Sequence, residues 1–164
     1  MIKKCVHQDL DVICMIINDA AVAYKNVIPE DAWREPYMPK RELEQEIDAG
    51  VVFWGITQDG RLTGVMGIQD KGEVALIRHA YTETRHRNSG IGTQLLQFLE
   101  ATTDKPILVG TWANAKWAIS FYQKNDFRLV SEQEKDRLLR KYWNISERQI
   151  ETSVVLIKKK HLSE

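Results

Sequence analysis

One stretch of the sequence decides the fold: Arg87-Asn88-Ser89-Gly90-Ile91-Gly92. Two glycines separated by one residue let the backbone turn tightly at the start of a helix, where several N–H groups have no partner within the helix. Those groups point outward at the positive end of the helix dipole and can bind phosphate. Alone, the pattern is weak, because a glycine also eases any strand into a helix.

The neighbouring residues narrow the kind of phosphate loop. A P-loop needs a glycine followed four residues later by Gly-Lys-Ser/Thr, which this stretch lacks. A Rossmann fingerprint needs a third glycine three residues after Gly92, where Leu95 stands. Arg85 and Arg87 add positive charge beside the N–H groups, which favours an anion. The spacing Arg87-x-x-Gly90-x-Gly92 therefore has to be interpreted with the elements around it.

Those elements alternate between strand and helix patterns. Three apolar strands at 51–56, 62–69 and 74–82 are separated by Asp-Gly and Lys-Gly turns, which predicts an antiparallel meander. Apolar residues at helical spacing over 93–101 predict a helix. Because this helix separates the strand at 106–112 from the strand before it, we expect these two strands to pair in parallel. The other predicted elements are helices over 11–25 (with Asp9 as cap), 41–49, 114–125 and 131–149 (broken near Asn144), and strands over 127–130 and 152–157.

Length and charge exclude several classes of protein. A chain of 164 residues is long enough for one substantial core, so we expect a single domain over 1–164. Its 43% hydrophobic and 28% charged residues are typical of a globular protein. Lys plus Arg and Asp plus Glu are both 23, so no overall field attracts nucleic acid or an anionic membrane.

The cysteines and the amino terminus point to a cytoplasmic protein without a metal. Cys5 and Cys14 lie among apolar residues with no Cys-x-x-Cys and no histidine cluster, so we expect buried reduced thiols and no zinc site. The first residues are not followed by an apolar run of signal-peptide length, and no segment approaches ~20 apolar residues. The oligomeric state stays open, with a homodimer as one option.

The glycine loop and the order of elements together resemble the GNAT superfamily of acetyl-CoA-dependent N-acetyltransferases. A second matching segment, Asn114 to Tyr122 followed by Phe127, resembles the family's helix after the fifth strand. The resemblance implies an α/β (α+β mixed) GNAT-like acyl-CoA N-acyltransferase fold. Its central sheet of about seven strands is mixed, mostly antiparallel and flanked by helices, and one parallel strand pair splays apart. Asp126 stands where the family has glycine, and we expect Asn125 to take the left-handed conformation instead.

Roles follow from the resemblance for particular positions. It implies that the main chain of Ala80, Tyr81 and Thr82 pairs with the pantetheine arm of acetyl-CoA. It also implies that Asn114 contacts this acetyl donor and that Tyr122 lies near the sulfur. The residues implied to surround the pyrophosphate are Arg87, Asn88, Ser89, Gly90, Ile91, Gly92 and Thr93.

Acetyl transfer needs a neutral amine, a donor to the oxygen that gains charge, and a proton for the leaving thiolate. A backbone N–H near Tyr81, exposed by the splay, can serve the oxygen. Tyr122 is protonated at neutral pH and is the candidate acid, although a core tyrosine is the alternative. His79 or Glu73 is the candidate base, and a structural histidine is as good an interpretation of His79. Because side chains alternate along a strand, Arg78 and His79 should not point into one cleft.

The acceptor is the least specified part. The aromatic segment Tyr24 to Tyr37 and the strand residues Trp54 and Trp112 could line a cleft for a small amine, or could simply be core. We therefore expect direct transfer of acetyl from acetyl-CoA to a primary amine, with no metal and no covalent enzyme intermediate. The alternatives are a non-catalytic acyl-CoA-binding sensor and an enzyme for protein or peptide amines.

Overall fold

A computed structural model describes residues 1–83 and 89–159 of the chain. The strands in these ranges are β1 (Ile2–Lys4), β2 (Val51–Gln58), β3 (Arg61–Asp70), β4 (Ala75–Thr82), β5 (Ile107–Trp112), β6 (Arg128–Leu129) and β7 (Ser153–Lys158). The helices are α1 (Leu10–Ala21), α2 (Lys40–Asp48), α3 (Ile91–Glu100), α4 (Lys116–Lys124), α5 (Glu132–Tyr142) and α6 (Glu147–Glu151). Short 3₁₀ turns at His7–Asp9, Val22–Tyr24 and Glu30–Ala32 lie around α1. Each predicted element is present, with bounds shifted by a few residues.

The strands of the described residues form one sheet in the order β1-β2-β3-β4-β5-β7-β6. Neighbouring strands are antiparallel except β4 and β5, which run parallel. The helix α3 between β4 and β5 carries the chain back to the same end of the sheet, which makes the parallel pairing feasible. The predicted mixed, mostly antiparallel sheet with one parallel pair is therefore confirmed.

Helices cover both faces of this sheet. On one face, α1 and α2 place Ile13, Ile17 and Leu43 against Phe53 and Val65. On the opposite face, α3 and α4 contribute to a second core, whose buried members include Ile77, Leu95, Leu96, Leu99, Val109 and Tyr122. Burial of each large aliphatic side chain contributes about 1.5–3 kcal/mol, so these two cores fix the helices on the sheet.

The start of α1 differs from the sequence prediction. Asp9 precedes the helix, but its carboxylate accepts hydrogen bonds from the Val6 N–H (2.8 Å) and from Lys3 Nζ (3.0 Å) instead of capping α1. Burial raises the pKa of Asp9, but these two bonds outweigh burial and hold the pKa below its ordinary value. Asp9 therefore anchors the turn between β1 and α1.

The end of α4 corrects a second expectation. Asp126 itself has the left-handed backbone, with φ +70°, whereas Asn125 has φ −102°. The prediction for Asn125 was wrong because its side-chain amide donates to the carbonyl of Phe121 (2.8 Å), which keeps Asn125 close to helical geometry. Aspartate tolerates the left-handed region better than most residues, so it can replace the family's glycine here.

Candidate active site

The strands β4 and β5 pair over only part of their length. Residues 75–77 are in parallel register with residues 107–109, and the pairing then ends. Beyond this point the two strands diverge, as the resemblance implied, and a cleft of about 690 Å³ opens between them. The cleft crosses the sheet, since Tyr24 and Tyr37 line it from the α1 side and Tyr122 lines it from the α4 side.

The amino-terminal end of α3 forms one wall of this cleft. Gly90 precedes the helix with φ +83°, a left-handed conformation that glycine adopts without strain. The first hydrogen bond of the helix runs from the Gln94 N–H to the Gly90 carbonyl (3.0 Å). The N–H groups of residues 91–93 therefore precede the hydrogen bonds of the helix. Gly90, Ile91, Gly92 and Thr93 all line the cleft.

Three other residues implied to hold the pyrophosphate are not among the described residues that line the cleft. Ser89 is exposed and is not among the residues that line the cleft. Arg87 and Asn88 lie outside the described residues.

The splayed end of β4 supplies the adjoining wall. Ala80, Tyr81 and Thr82, which the resemblance implied to pair with the pantetheine arm, line the cleft. Burial raises the pKa of Tyr81 well above its ordinary value, and a hydrogen bond with Tyr37 raises this pKa further. The Tyr81 hydroxyl therefore stays neutral at physiological pH, and its hydrogen bond with Tyr37 connects β4 to the segment between α1 and α2.

Tyr122 lies on the inner face of α4. The residue is only 5% exposed, and it also lines the cleft. Its ring makes edge contacts with Phe121 and Phe127, at centroid distances of 5.0 and 5.5 Å. Burial is the main reason that the pKa of Tyr122 is raised, and the nearby Tyr24 adds to the effect. Tyr122 is thus both a core residue and a protonated hydroxyl at the cleft.

His79 lies on the strand where a bulge interrupts the pairing of β3 and β4. Gly67 pairs with Arg78 and Val65 pairs with Tyr81, so two residues of β4 oppose Met66. His79 has a left-handed backbone, with φ +54°. A bulge breaks the alternation of side chains along a strand. Arg78 and His79 consequently both line the cleft, and the prediction that they would be separated was wrong.

The bulge brings both basic side chains to Glu46 of α2. Arg78 Nη2 lies 3.0 Å from one carboxylate oxygen of Glu46, and His79 Nε2 contacts the other. Burial raises the pKa of Glu46, but the contacts with His79 and Arg78 outweigh burial and leave the pKa below its ordinary value. Glu46 is thus ionised at neutral pH. Nothing in the sequence indicated this residue, because it stands among other charges in a short helix.

Two predicted site residues lie away from the cleft. Glu73 is exposed before β4, where its carboxylate accepts hydrogen bonds from Tyr142 Oη (2.8 Å) and Lys141 Nζ (3.0 Å). These bonds lower the pKa of Glu73. Asn114 is exposed and is not among the residues that line the cleft, and α4 begins two residues after it, at Lys116.

Several aromatic residues line the cleft. Tyr24 contacts Tyr81 edge-on (6.2 Å between centroids) and Trp117 at 4.9 Å. Trp112 also lines the cleft, whereas Trp54 packs against Phe98 in the core. Trp117 was not predicted as a site residue. The sequence did offer a signal, because Trp117 lies about one helical turn before Phe121 and Tyr122 in the predicted helix.

The charges along the cleft are of one sign. Among its described lining residues, the basic side chains are Arg78, His79 and Lys124, and none is an aspartate or a glutamate. Lys124 adds a cation from the end of α4 that sequence reasoning missed. Neither Cys5 nor Cys14 lines the cleft, and both are free and half-buried.

Two further observations concern the described ranges 1–83 and 89–159. No three His, Cys, Asp or Glu side chains there are grouped so that they could hold a metal ion. The helices of these ranges are too short or too polar for any of them to cross a membrane.

A mostly antiparallel sheet with one splayed parallel pair, and a helix that begins at the splay after Gly90, is the arrangement that the resemblance to acetyl-CoA-dependent N-acetyltransferases implied. The family model described as an acetyltransferase (GNAT) domain matches residues 17–140. The chain belongs to the GNAT family and is an acetyl-CoA-dependent N-acetyltransferase.

Solved structures share the fold at low identity. The PaiA N-acetyltransferase from Thermoplasma acidophilum, in complex with coenzyme A, is 20% identical over 98% of each chain, with a TM-score of 0.74. The ribosomal-protein-S18-alanine N-acetyltransferase from Escherichia coli is 13% identical, with a TM-score of 0.71 over 100% of this chain and 96% of that one. An acetyltransferase from Streptococcus agalactiae is 16% identical over 98% of each chain, with a TM-score of 0.70. No curated protein matches the sequence.

Proposed function

We propose that the protein transfers the acetyl group of acetyl-CoA directly to the primary amine of a small acceptor molecule. One observation carries the proposal: a single cleft through the β4–β5 splay joins the amino terminus of α3 to both His79 and Tyr122. A phosphate-binding end and a proton-accepting and proton-donating pair therefore share one cavity, as a one-step transfer requires.

The donor would lie along the splay. The N–H groups of residues 91–93 and the helix dipole of α3 would bind the pyrophosphate, and Lys124 adds positive charge at the same cleft. The free edge of β4 at residues 80–82 would pair with the amides of the pantetheine arm, in the manner of an added strand. This path would place the thioester between His79 and Tyr122.

The chemistry requires three events. The acceptor nitrogen attacks the thioester carbon, and His79 takes a proton from that nitrogen. A backbone N–H near Tyr81 donates to the oxygen that gains charge, and the carbon–sulfur bond then breaks. Tyr122 donates its proton to the departing thiolate. No enzyme thiol takes part, since neither cysteine lines the described cleft.

The lining favours a small amine over a polycation. A polyamine or a basic peptide tail is best bound by carboxylates, and the described lining contains cations and aromatic rings instead. The rings of Tyr24 and Trp117 provide flat apolar surface on the acceptor side and could face an ammonium group before it loses its proton.

A screen for release of free CoA thiol tests this function, with small monoamines, amino acids, polyamines, aminoglycosides and amino-terminal peptides as acceptors. We expect turnover with a small monoamine. We also expect His79→Ala to lower kcat about 100-fold without weakening CoA binding measured by calorimetry. Tight CoA binding without turnover on any acceptor would favour a sensor, and turnover on peptides alone would favour a protein amine.

A further inference from the structure

We propose that Glu46 is a positioning residue for His79: it orients the imidazole in the cleft and stabilises the positive charge that the ring gains during transfer. The inference rests on the proposed function, in which His79 takes the proton of the acceptor amine. It assigns a catalytic contribution to helix α2, which does not line the described cleft.

The contact between the two residues is largely shielded from water. The side chain of His79 is 14% exposed and that of Glu46 is 18% exposed. One carboxylate oxygen contacts His79 Nε2 and the other lies 3.0 Å from Arg78 Nη2. Charge interactions are stronger in such a site than in bulk water, so the ionised carboxylate can act strongly on the ring.

The ring of His79 lies next to two aromatic rings at small interplanar angles. Phe53 and Tyr81 stack on it, with centroids 6.1 and 6.3 Å away and interplanar angles of 24° and 26°. Nε2 is the ring nitrogen in contact with Glu46, so we assign the proton of the acceptor amine to Nδ1, the other nitrogen of a ring that lines the cleft.

Each proton that moves during acetyl transfer has a named donor and a named acceptor. The new carbon–nitrogen bond forms as the acceptor nitrogen gives a proton to Nδ1, which leaves a cationic imidazolium beside the Glu46 carboxylate. The carbon–sulfur bond breaks, and the thiolate takes the proton of Tyr122. Transfer of the imidazolium proton to water, and reprotonation of the tyrosine, restore the enzyme.

The other charged or titratable groups around this pair come from β4 and from the segment ahead of α2. Arg78 on β4 shares the carboxylate, and its second nitrogen donates to Gln69 of β3 (3.1 Å). Arg34, ahead of α2, also acts on the charge of Glu46. The hydroxyl of Tyr81 is neutral. Without the carboxylate, the imidazolium formed during transfer would lose its neighbouring negative charge and keep Arg78 beside it.

A purely structural pair would give different behaviour. If Glu46 only pinned α2 to the sheet, its contact with Arg78 would suffice, and loss of the carboxylate would lower stability without moving the pH dependence of catalysis. The left-handed backbone of His79 serves no such role, since Arg78 contacts Glu46 without a positive φ.

The test uses Glu46→Gln, which keeps the shape of the side chain and removes its charge. Glu42→Gln is the matched control, because Glu42 lies one turn earlier on α2 and pairs with Arg34 at the surface. Glu46→Asp restores the charge on a shorter side chain, and His79→Gln removes the base. The measurements are kcat and KM against pH with the monoamine found by the screen, and one-dimensional proton NMR of the free enzyme.

We expect Glu46→Gln to lower kcat at pH 7 at least about tenfold while KM for acetyl-CoA stays unchanged. The acidic limb of the pH–rate profile should move to lower pH, because the imidazolium loses its neighbouring negative charge. Glu46→Asp should recover part of both effects, and Glu42→Gln should behave as wild type. A downfield proton signal that vanishes in His79→Gln should move upfield in Glu46→Gln.

Each contrary result has its own meaning. If Glu46→Gln keeps the wild-type limb and signal while His79→Gln abolishes both, the positioning role is wrong and the proposed function stands. If His79→Gln keeps wild-type kinetics, the base of the proposed function is wrong. Should Glu46→Gln fail to fold, an unshifted limb in Glu46→Asp together with an unshifted signal would overturn the inference.

Discussion

Gly64 of β3 and Ile91, the first residue of α3, are in such close contact that a Cβ atom on Gly64 would lie 2.5 Å from Cγ2 of Ile91. Ile91 is fully buried and belongs to the glycine loop. The missing side chain at position 64 therefore sets how closely the proposed phosphate-binding end of α3 approaches the sheet.

Gly64→Ala should push the start of α3 away from β3. Overpacking of this kind costs about 1–3 kcal/mol of stability, and we also expect weaker CoA binding because the N–H groups of the first turn move. Urea unfolding and calorimetry measure the two effects. Ile91→Ala removes the opposing methyl group, so the double variant should be more stable than the sum of the single effects predicts. Strict additivity would show that the two residues do not oppose each other.

Gly92 tests the phosphate site. A Cβ atom there would lie 3.3 Å from the ring of Phe121, so any side chain causes some crowding. Gly92→Gln and Gly92→Glu share this bulk and differ in charge. We expect both to weaken CoA binding, and the glutamate variant to do so about tenfold more because its carboxylate would face the pyrophosphate. Equal affinity of the two variants would place the pyrophosphate elsewhere.

Tyr122→Phe should lower kcat at least about tenfold while CoA binding changes little, because only the donated proton is lost. Burial raises the pKa of Tyr122, so the hydroxyl keeps its proton to higher pH than an ordinary tyrosine. Wild type should therefore show no alkaline loss of activity from this group below pH ~10. The control is Tyr142→Phe, whose hydroxyl donates to Glu73 away from the cleft. A wild-type rate in Tyr122→Phe would leave the residue with a packing role alone.

Cys5 should react slowly with alkylating reagents in the folded protein. Burial raises the pKa of its thiol from 9.0 to about 11, and Asp9 adds to this effect. At pH 8 the thiolate is then roughly 100-fold scarcer than in the unfolded chain, and only the thiolate reacts. Mass spectrometry after iodoacetamide treatment, with and without urea, measures the difference. Equal rates in the two conditions would contradict the burial of this thiol.

Local pattern was enough to predict the helices and strands of this protein. Apolar residues at helical spacing over 93–101 and the Asp59-Gly60 turn act within a few residues of the chain, so their effect can be seen without a structure. The parallel pairing of β4 with β5 also followed, because a helix between two strands leaves few other connections. The left-handed residue after α4 was predicted one position too early, since the side-chain bond of Asn125 to Phe121 was not foreseen.

The sequence by itself determined the family, the acetyl donor and the position of the glycine loop, since these depend on short motifs and on the order of elements. Only the tertiary structure decided which side chains meet at the cleft. The contact of Glu46 with His79 and the fit of Ile91 against Gly64 depend on a strand bulge and on the packing of helices against the sheet. Residues so distant along the chain come together through long-range packing, and local periodicity carries no information about such contacts.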